Sequence, residues 1–405
     1  MGTEDREIAA PRTALEGIRV LDLGRYQAGP RAGLVLARLG AEVIKVEALD
    51  GEESRGLRST GSVRGQNPYW VQYNSGKKSL AMDLRNEKAK AVLRELIKIS
   101  DVLIQNFRPG TIKKMGFSYE TLCSLNPGIV MLNVSAYGQY GPFRDRIGFD
   151  PIGQAISGLM QLTGYPETPP TITTMPIIDR ITALHGTIGV LAALRERELS
   201  GKGQEIDVCL ADTGFSLTEI PIATYLGNGS VPERQGSRNA GALCNVYRTT
   251  DGWALLVAPN QNIWPRLCEI LDKPEWVDDP RFASRAERAK NAVVVEDELA
   301  RWFATLTTTE AVDTMSEASI PCAPVNDIPQ AAESAQLWER ELLVEVPDAV
   351  AGTAHASGKL IKLSRSETIV GTTPTVGQHT EEILRDLLNY TPQQIQQLRD
   401  EQVVR

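Results

Sequence analysis

The sequence is poor in the residues that build metal and disulfide sites. Its five cysteines, Cys123, Cys209, Cys244, Cys268 and Cys322, stand far apart and form no C-x-x-C pair. Neither a disulfide framework nor a zinc knuckle is suggested, and they read as reduced thiols of a cytoplasmic protein. The three histidines, His185, His355 and His379, are scattered, which argues against a metal cluster and against a histidine-activated thiol. Basic charge is also short: the net charge of −8 disfavours a nucleic-acid or anionic-membrane partner, which needs a broad cationic surface. Long apolar runs are missing too. The most apolar stretch, Ile181 to Leu194, is about 14 residues long and contains His185. A membrane span needs ~20, so it reads as a core helix. The opening M-G-T-E-D-R-E has no apolar targeting segment, and Arg6 stands where a myristoylation signal needs Ser or Thr.

Disorder is disfavoured as well, because 42% hydrophobic and 23% charged residues are near the globular average. At 405 residues the chain exceeds one ordinary core, and two domains are expected. I-R-V-L-D-L (Ile18 to Leu23) reads as a buried strand followed by a glycine turn and a helix from Arg31 to Leu39. Further strands are read at Glu42 to Glu47, Asp101 to Phe107, Gly128 to Ser135 and Glu205 to Leu210, with helices at Glu87 to Ile99 and from Asp179 through Arg197. This alternation implies a parallel, doubly wound sheet that binds ligands at the carboxyl ends of its strands. The Gly- and charge-rich stretch Gly227 to Ala242 is read as a linker, and a second, mostly helical unit begins with the T-T-D-G turn at Thr249 to Gly252.

The first turn, G-R-Y-Q-A-G-P-R-A-G, places Gly24, Gly29 and Gly33 between strand and helix, where backbone amides can approach a phosphate. Glu47, ending the second strand, keeps a nicotinamide enzyme in view, but the G-x-G-x-x-G spacing is absent. Asp179, in T-M-P-I-I-D-R, has two readings. It ordinarily caps a helix; alternatively, a carboxylate in apolar surroundings is poorly solvated and becomes a nucleophile toward a thioester carbonyl. Lys77 and Lys78, and Lys113 and Lys114, follow glycine turns and are either solvated or set to meet phosphates.

In order along the chain come L-E-G-I-R-V-L-D-L with Q-A-G-P, L-G-A-E-V-I-K-V-E, N-S-G-K-K-S-L-A-M-D-L and D-V-L-I-Q-N-F-R-P-G with K-K-M-G-F. S-A-Y-G-Q-Y-G-P, the Asp179 segment, G-K-G-Q-E-I-D-V, I-P-C-A-P-V-N-D and G-Q-H-T-E-E-I-L follow. Together they resemble the family III CoA-transferases, the formyl-CoA transferase and carnitine-CoA transferase family, over nearly the whole chain, and most closely its succinyl-CoA:malate type. The resemblance implies an α/β fold: a Rossmann-like doubly wound large domain, a smaller α+β domain and an interlocked dimer. The large domain would take residues 1–226 and 331–405, and the small domain with its linkers 227–330.

The family also implies that Asp179 attacks an acyl-CoA, passes through a mixed anhydride to an aspartyl-CoA thioester, and returns CoA to an acceptor acid. Gln27 matches the family's active-site glutamine. Ala28, Lys77, Asn106, Phe107, Lys114, Tyr137 and Asp150 fall at CoA-binding or site-lining positions. Ala48 replaces a CoA-contacting arginine of a relative, leaving Lys45 or Arg55 to substitute. No cofactor is implied as tightly bound, and coenzyme A enters as a substrate. The partners are then acyl-CoA and carboxylic acids, with a homodimer or an assembly with a related subunit. Arg180 and Arg238 are candidates for the second carboxylate of a dicarboxylate such as succinate, malate, itaconate or mesaconate. The same fold hosts α-methylacyl-CoA racemases, which need a histidine before the Asp150 position; here it is Phe149, which carries no proton. A non-catalytic partner subunit is the remaining alternative.

Overall fold

The protein is described from a computed structural model covering residues 13–56 and 62–405. Its backbone alternates strand and helix: β1 (Arg19–Asp22), α1 (Ala28–Arg38), β2 (Glu42–Glu47), α2 (Pro68–Asn74), β3 (Lys78–Ala81), α3 (Glu87–Lys98) and β4 (Val102–Gln105). Two short helices, α4 (Thr111–Lys114) and α5 (Tyr119–Leu125), lead to β5 (Val130–Ser135) and then to α6 (Asp150–Ile156) and α7 (Leu159–Leu162). The long α8 (Ile177–Ser200), β6 (Glu205–Cys209), α9 (Leu210–Leu217) and α10 (Glu219–Asn228) follow.

All six strands pair in parallel, in the order β3-β2-β1-β4-β5-β6. The inner strands β4 and β5 are buried at every residue, as a sheet covered on both faces requires. The segment N-S-G-K-K-S-L-A contributes β3, a strand not recognised in the sequence because its glycine turn and lysines obscure the apolar run. The order in which strands are added reverses between β1 and β4, and ligands in open α/β sheets settle at that crevice.

The described residues form two compact units. One comprises those up to Leu159, Thr173–Ala223 and Gln336–Arg405; the other comprises Met160–Ile172 and Thr224–Ala335. In the first unit, Ile383, Leu384, Ile395, Leu398, Val403 and Val404 share one core with Leu21, Ile44, Leu80 and Met82. The C-terminus is anchored there by Arg405 N–H donating to Ala81 O (3.1 Å) and Asp83 N–H to Val403 O (3.0 Å).

Helix α8 is 24 residues long, extending the helix read from Asp179 through Arg197 by two residues at its start and three at its end, and by length and composition alone it meets the requirement for a membrane span. Its Ile178, Ala183, Gly186, Val190, Ala193 and Leu194 are buried against α1, β5 and β6, so it is a core helix. An added Cβ at Gly186 would meet Leu132 at 2.9 Å, which explains a glycine inside a helix where it costs about 1 kcal/mol against alanine.

The second unit joins its helices to a small sheet, as an α+β domain does. β7 (Cys244–Arg248), β8 (Trp253–Val257) and, much later, β9 (Cys322–Pro324) form an antiparallel sheet. The T-T-D-G segment is its hairpin turn. Trp264, Trp276, Phe282, Phe303 and Leu267 fill its core. The stretch read as a linker is held down: Arg234 donates to the Tyr165 and Thr168 carbonyls (3.1 and 2.7 Å), and Gly236 N–H to Gly164 O (2.9 Å).

Candidate active site

The turn after β1 is built for close approach. Gly24 and Gly29 face each other so closely that a Cβ on Gly24 would lie 3.0 Å from the Gly29 Cα. Tyr26, between them, has φ +60, a left-handed conformation that costs a non-glycine residue about 1–3 kcal/mol. Two side chains hold it. Glu52 Oε1 accepts from Tyr26 N–H (2.7 Å), and Asn106, just after β4, accepts from Arg25 N–H and donates to Arg25 O, both at 2.7 Å. Asn106 therefore locks the turn that presents Gln27. The Tyr73 hydroxyl donates to Gln27 Oε1 at 2.7 Å, which fixes the amide's orientation and leaves its N–H group as the donor side.

Asp179 sits in the first turn of α8 but does not cap it: Pro176 holds the cap position, without a side-chain bond. The cap comes from elsewhere. Asp150, 4% exposed, takes the Asp179 N–H on Oδ2 (2.9 Å), while its Oδ1 accepts from Gln154 Nε2 (2.5 Å). A helix N-terminus favours a carboxylate, yet burial and then the neighbouring Asp150 charge push the Asp179 carboxyl up from 3.8 to about 7. Desolvation wins, and the group titrates near neutrality.

Asp179, Gln27, Ala28, Asn106 and Phe107 line one cleft of about 360 Å³, with Arg25, Arg108, Arg146 and Phe149. It opens at the carboxyl ends of β1, β4 and β5, at the switch point. A second cleft of about 510 Å³ lies beyond the ends of β1 to β3 and includes Ala48, Lys45 and Arg85. Arg25 and Phe107 line both.

Other sequence candidates lie apart from the first cleft. Lys77 is fully buried, its Nζ bound to Asp22 (2.7 Å), Pro30 O (2.8 Å) and Asn74 (3.0 Å). The geometry corrects its reading as a phosphate ligand: it is the counter-charge of a buried aspartate, and burial brings its ammonium down to about 8. Lys45 is likewise engaged, by Glu52 (2.6 Å) and Gly24 O, and Arg55 pairs with Glu47 (2.7 Å) and lies 3.7 Å over the Trp70 ring. Neither is free to replace the arginine missing at Ala48. Lys114 is exposed on α4, and Tyr137 meets Phe143 edge-on at 5.8 Å. Arg238, in the second unit, is paired with Glu296 at 2.9 Å. Arg180 is exposed.

Sequence reasoning missed Arg25, Arg108, Arg146, Tyr69 and Tyr73. Arg25 and Arg108 each lie three residues beyond the ends of β1 and β4, so their place in the turns after strands flanking a switch point was the available signal. Tyr69 and Tyr73 are one turn apart on α2, with rings 4.8 Å apart, but nothing in their spacing ties α2 to Gln27.

Comparison with known proteins bears on the family and the fold. The family profile described as CoA-transferase family III matches residues 15–380. The chain is 34% identical over 397 residues to the succinyl-CoA–D-citramalate CoA-transferase of Chloroflexus aurantiacus, covering 97% of this chain and 99% of the relative. It is 34% identical over 396 residues to the beta subunit of that organism's succinyl-CoA–L-malate CoA-transferase, covering 96% and 98%. Among solved structures, a CAIB/BAIF family protein from Brucella suis superposes with a TM-score of 0.83 at 28% identity, over 93% of this chain and 100% of that one. On the whole-length profile, these relatives and the shared fold, the chain belongs to CoA-transferase family III, enzymes whose substrates are CoA thioesters.

Proposed function

We propose that the protein moves CoA from succinyl-CoA, or a similar acyl-CoA, to an acceptor dicarboxylate, with Asp179 as the covalent carrier. The observation that carries this reading is Asp179 itself: a poorly solvated carboxylate, raised to about 7, in a cleft that also holds Gln27. Both relatives above are named for succinyl-CoA and a dicarboxylate acceptor.

The ionised Asp179 attacks the thioester carbonyl and expels CoA thiolate, leaving a mixed anhydride. The thiolate attacks the aspartyl carbonyl and releases the donor acid. The acceptor carboxylate then attacks the aspartyl-CoA thioester, and thiolate transfers to the new acyl group, restoring Asp179. No water enters, and each step exchanges one activated acyl bond for another. Gln27, with Oε1 held by Tyr73, turns donors to the oxyanions that form. Ala28, Asn106, Phe107 and the arginines of the first cleft border the CoA path, with Lys114, Tyr137 and Asp150 farther out or beneath it.

A racemase needs a second proton carrier before Asp150, and Phe149, 63% exposed in the cleft, cannot act as one. We place the reaction in the cytoplasm and in an assembly. Leu184 and Ile188 on α8 and Ile220 on α10 are exposed, and a second copy or a related subunit would cover them. The test is a scan of acceptor acids against succinyl-CoA, with Asp179→Ala as control. Transfer by the wild type to a dicarboxylate, and none by the variant, is the expected result; turnover by the variant near the wild-type rate would remove the covalent carrier.

A further inference from the structure

We propose that Arg31 and Arg180, with the Tyr73 hydroxyl, form a binding site for the carboxylate of the acid substrate that does not react. The inference rests on the preceding reading for the reaction, and adds the part of the site that selects a dicarboxylate.

Three helices converge here. α1 begins after Gln27 and carries Arg31 one turn on, with Arg31 N–H donating to Gln27 O at 2.7 Å. α2 supplies Tyr73, whose hydroxyl bonds Gln27, and α8 supplies Arg180 directly after Asp179. α1 packs against both α2 and α8. The two arginines are close enough that Arg180 repels the partly buried Arg31: burial first, then Arg180, lowers the Arg31 guanidinium below its usual range. Both also act on Tyr73, where burial still dominates and raises the phenol.

Elsewhere the first unit satisfies its inward cations: Lys77 has Asp22, Lys45 has Glu52 and Arg55 has Glu47, while the buried Arg38 donates to the Ser75 and Ser357 carbonyls and the Ser75 hydroxyl. Among the described residues, neither Arg31 nor Arg180 forms a salt bridge. Among the described residues Asp179 forms no salt bridge with either arginine, and burial and Asp150 both oppose its charge. Arg31, partly buried, and the exposed Arg180, which hydrogen-bonds Tyr73, are two like charges without a carboxylate between them. Guanidinium forks match a carboxylate in two-point geometry. CoA phosphates are the other anions at hand, but Arg31, Arg180 and Tyr73 do not line the cleft that holds Asp179 and Arg25. An acid with one carboxylate at Asp179 and a second at this pair occupies both sides of Gln27.

The test uses the full chain, with Arg31→Met, Arg180→Met and the corresponding lysine variants, checked for native circular dichroism. Free succinate is titrated calorimetrically without CoA, and kcat/KM is measured for a dicarboxylate and a monocarboxylate donor–acceptor pair. The methionine variants are expected to weaken succinate at least about tenfold and to cut the dicarboxylate preference by about thirtyfold or more. The lysine variants should fall between. Because Arg180 is exposed, its methionine variant reads the site even where Arg31→Met fails to fold. Unchanged succinate binding, equal losses on both acid pairs, or a loss confined to CoA affinity would each overturn the proposal. A wild type that binds succinate through these arginines yet transfers no CoA would instead overturn the transferase mechanism and leave the carboxylate site standing.

Discussion

On the proposed mechanism the charge state of Asp179 sets both rate and stability. Its carboxyl is raised to about 7, and only the ionised form attacks, so kcat/KM should fall as pH drops through about 7. Asp150→Asn removes one of the two causes and should move that midpoint to lower pH; a pH–rate profile of both enzymes decides it. The same shift has a stability sign. A carboxyl raised on folding costs nothing below its unfolded value of 3.8, and the cost grows with pH until it is complete above about 7. Asp179→Asn should therefore be inactive yet more stable at pH 8, by roughly 2–4 kcal/mol, with a smaller gain at pH 5. Urea melts at the two pH values measure this, and a destabilised variant at pH 8 would contradict it. The sequence marked Asp179 because an acid followed an apolar approach. It did not show that Asp150, 29 residues earlier, supplies the helix cap and the opposing charge. Lys77 was misread for a similar reason: a lysine pair looks alike whether solvated or buried, and Asp22 lies 55 residues away.

Among the elements, α6 sets the position of Asp150, and α9 sets α6. The crossing is tight: a Cβ on Gly214 would meet Gly153 O at 2.7 Å and the Ser157 Cβ at 2.8 Å. Gly214→Ala gains helix propensity of about 1 kcal/mol but overpacks the contact by about 1–3 kcal/mol. Net destabilisation of about 1 kcal/mol is expected, with kcat reduced because α6 shifts beneath Asp179; denaturant melts and steady-state kinetics check both. The strand at Glu42–Glu47 was legible because a covered parallel strand reads as an apolar run, and the edge strand Glu205–Cys209 because its apolar residues alternate with Glu205 and Asp207. β9 was not: three residues, Cys322–Pro324, carry no periodicity and gain strand character only by pairing with β8.

For the whole molecule, the strand order β3-β2-β1-β4-β5-β6 opens a crevice at the ends of β1 and β4, and the two clefts there share Arg25 and Phe107. On the proposed function a long CoA would follow such a path, and Arg85, paired with Asp83 at 2.8 Å but with its side chain 91% exposed, lines the cleft that includes Ala48. Arg85→Ala should raise KM for acyl-CoA several-fold with little change in kcat, a split expected when a contact made equally before and during reaction is lost. An assembly is expected too: Ile188→Glu combined with Ile220→Glu should reduce the native particle to single chains by light scattering, whereas an unchanged mass would place the interface elsewhere. The central claim is the covalent carrier, and the intact mass of the protein incubated with succinyl-CoA but no acceptor tests it most directly. The account predicts an adduct of one CoA less one water, absent in Asp179→Ala and converted by hydroxylamine to a hydroxamate on the Asp179 peptide; an active enzyme that shows no adduct, or carries it on another residue, would contradict it.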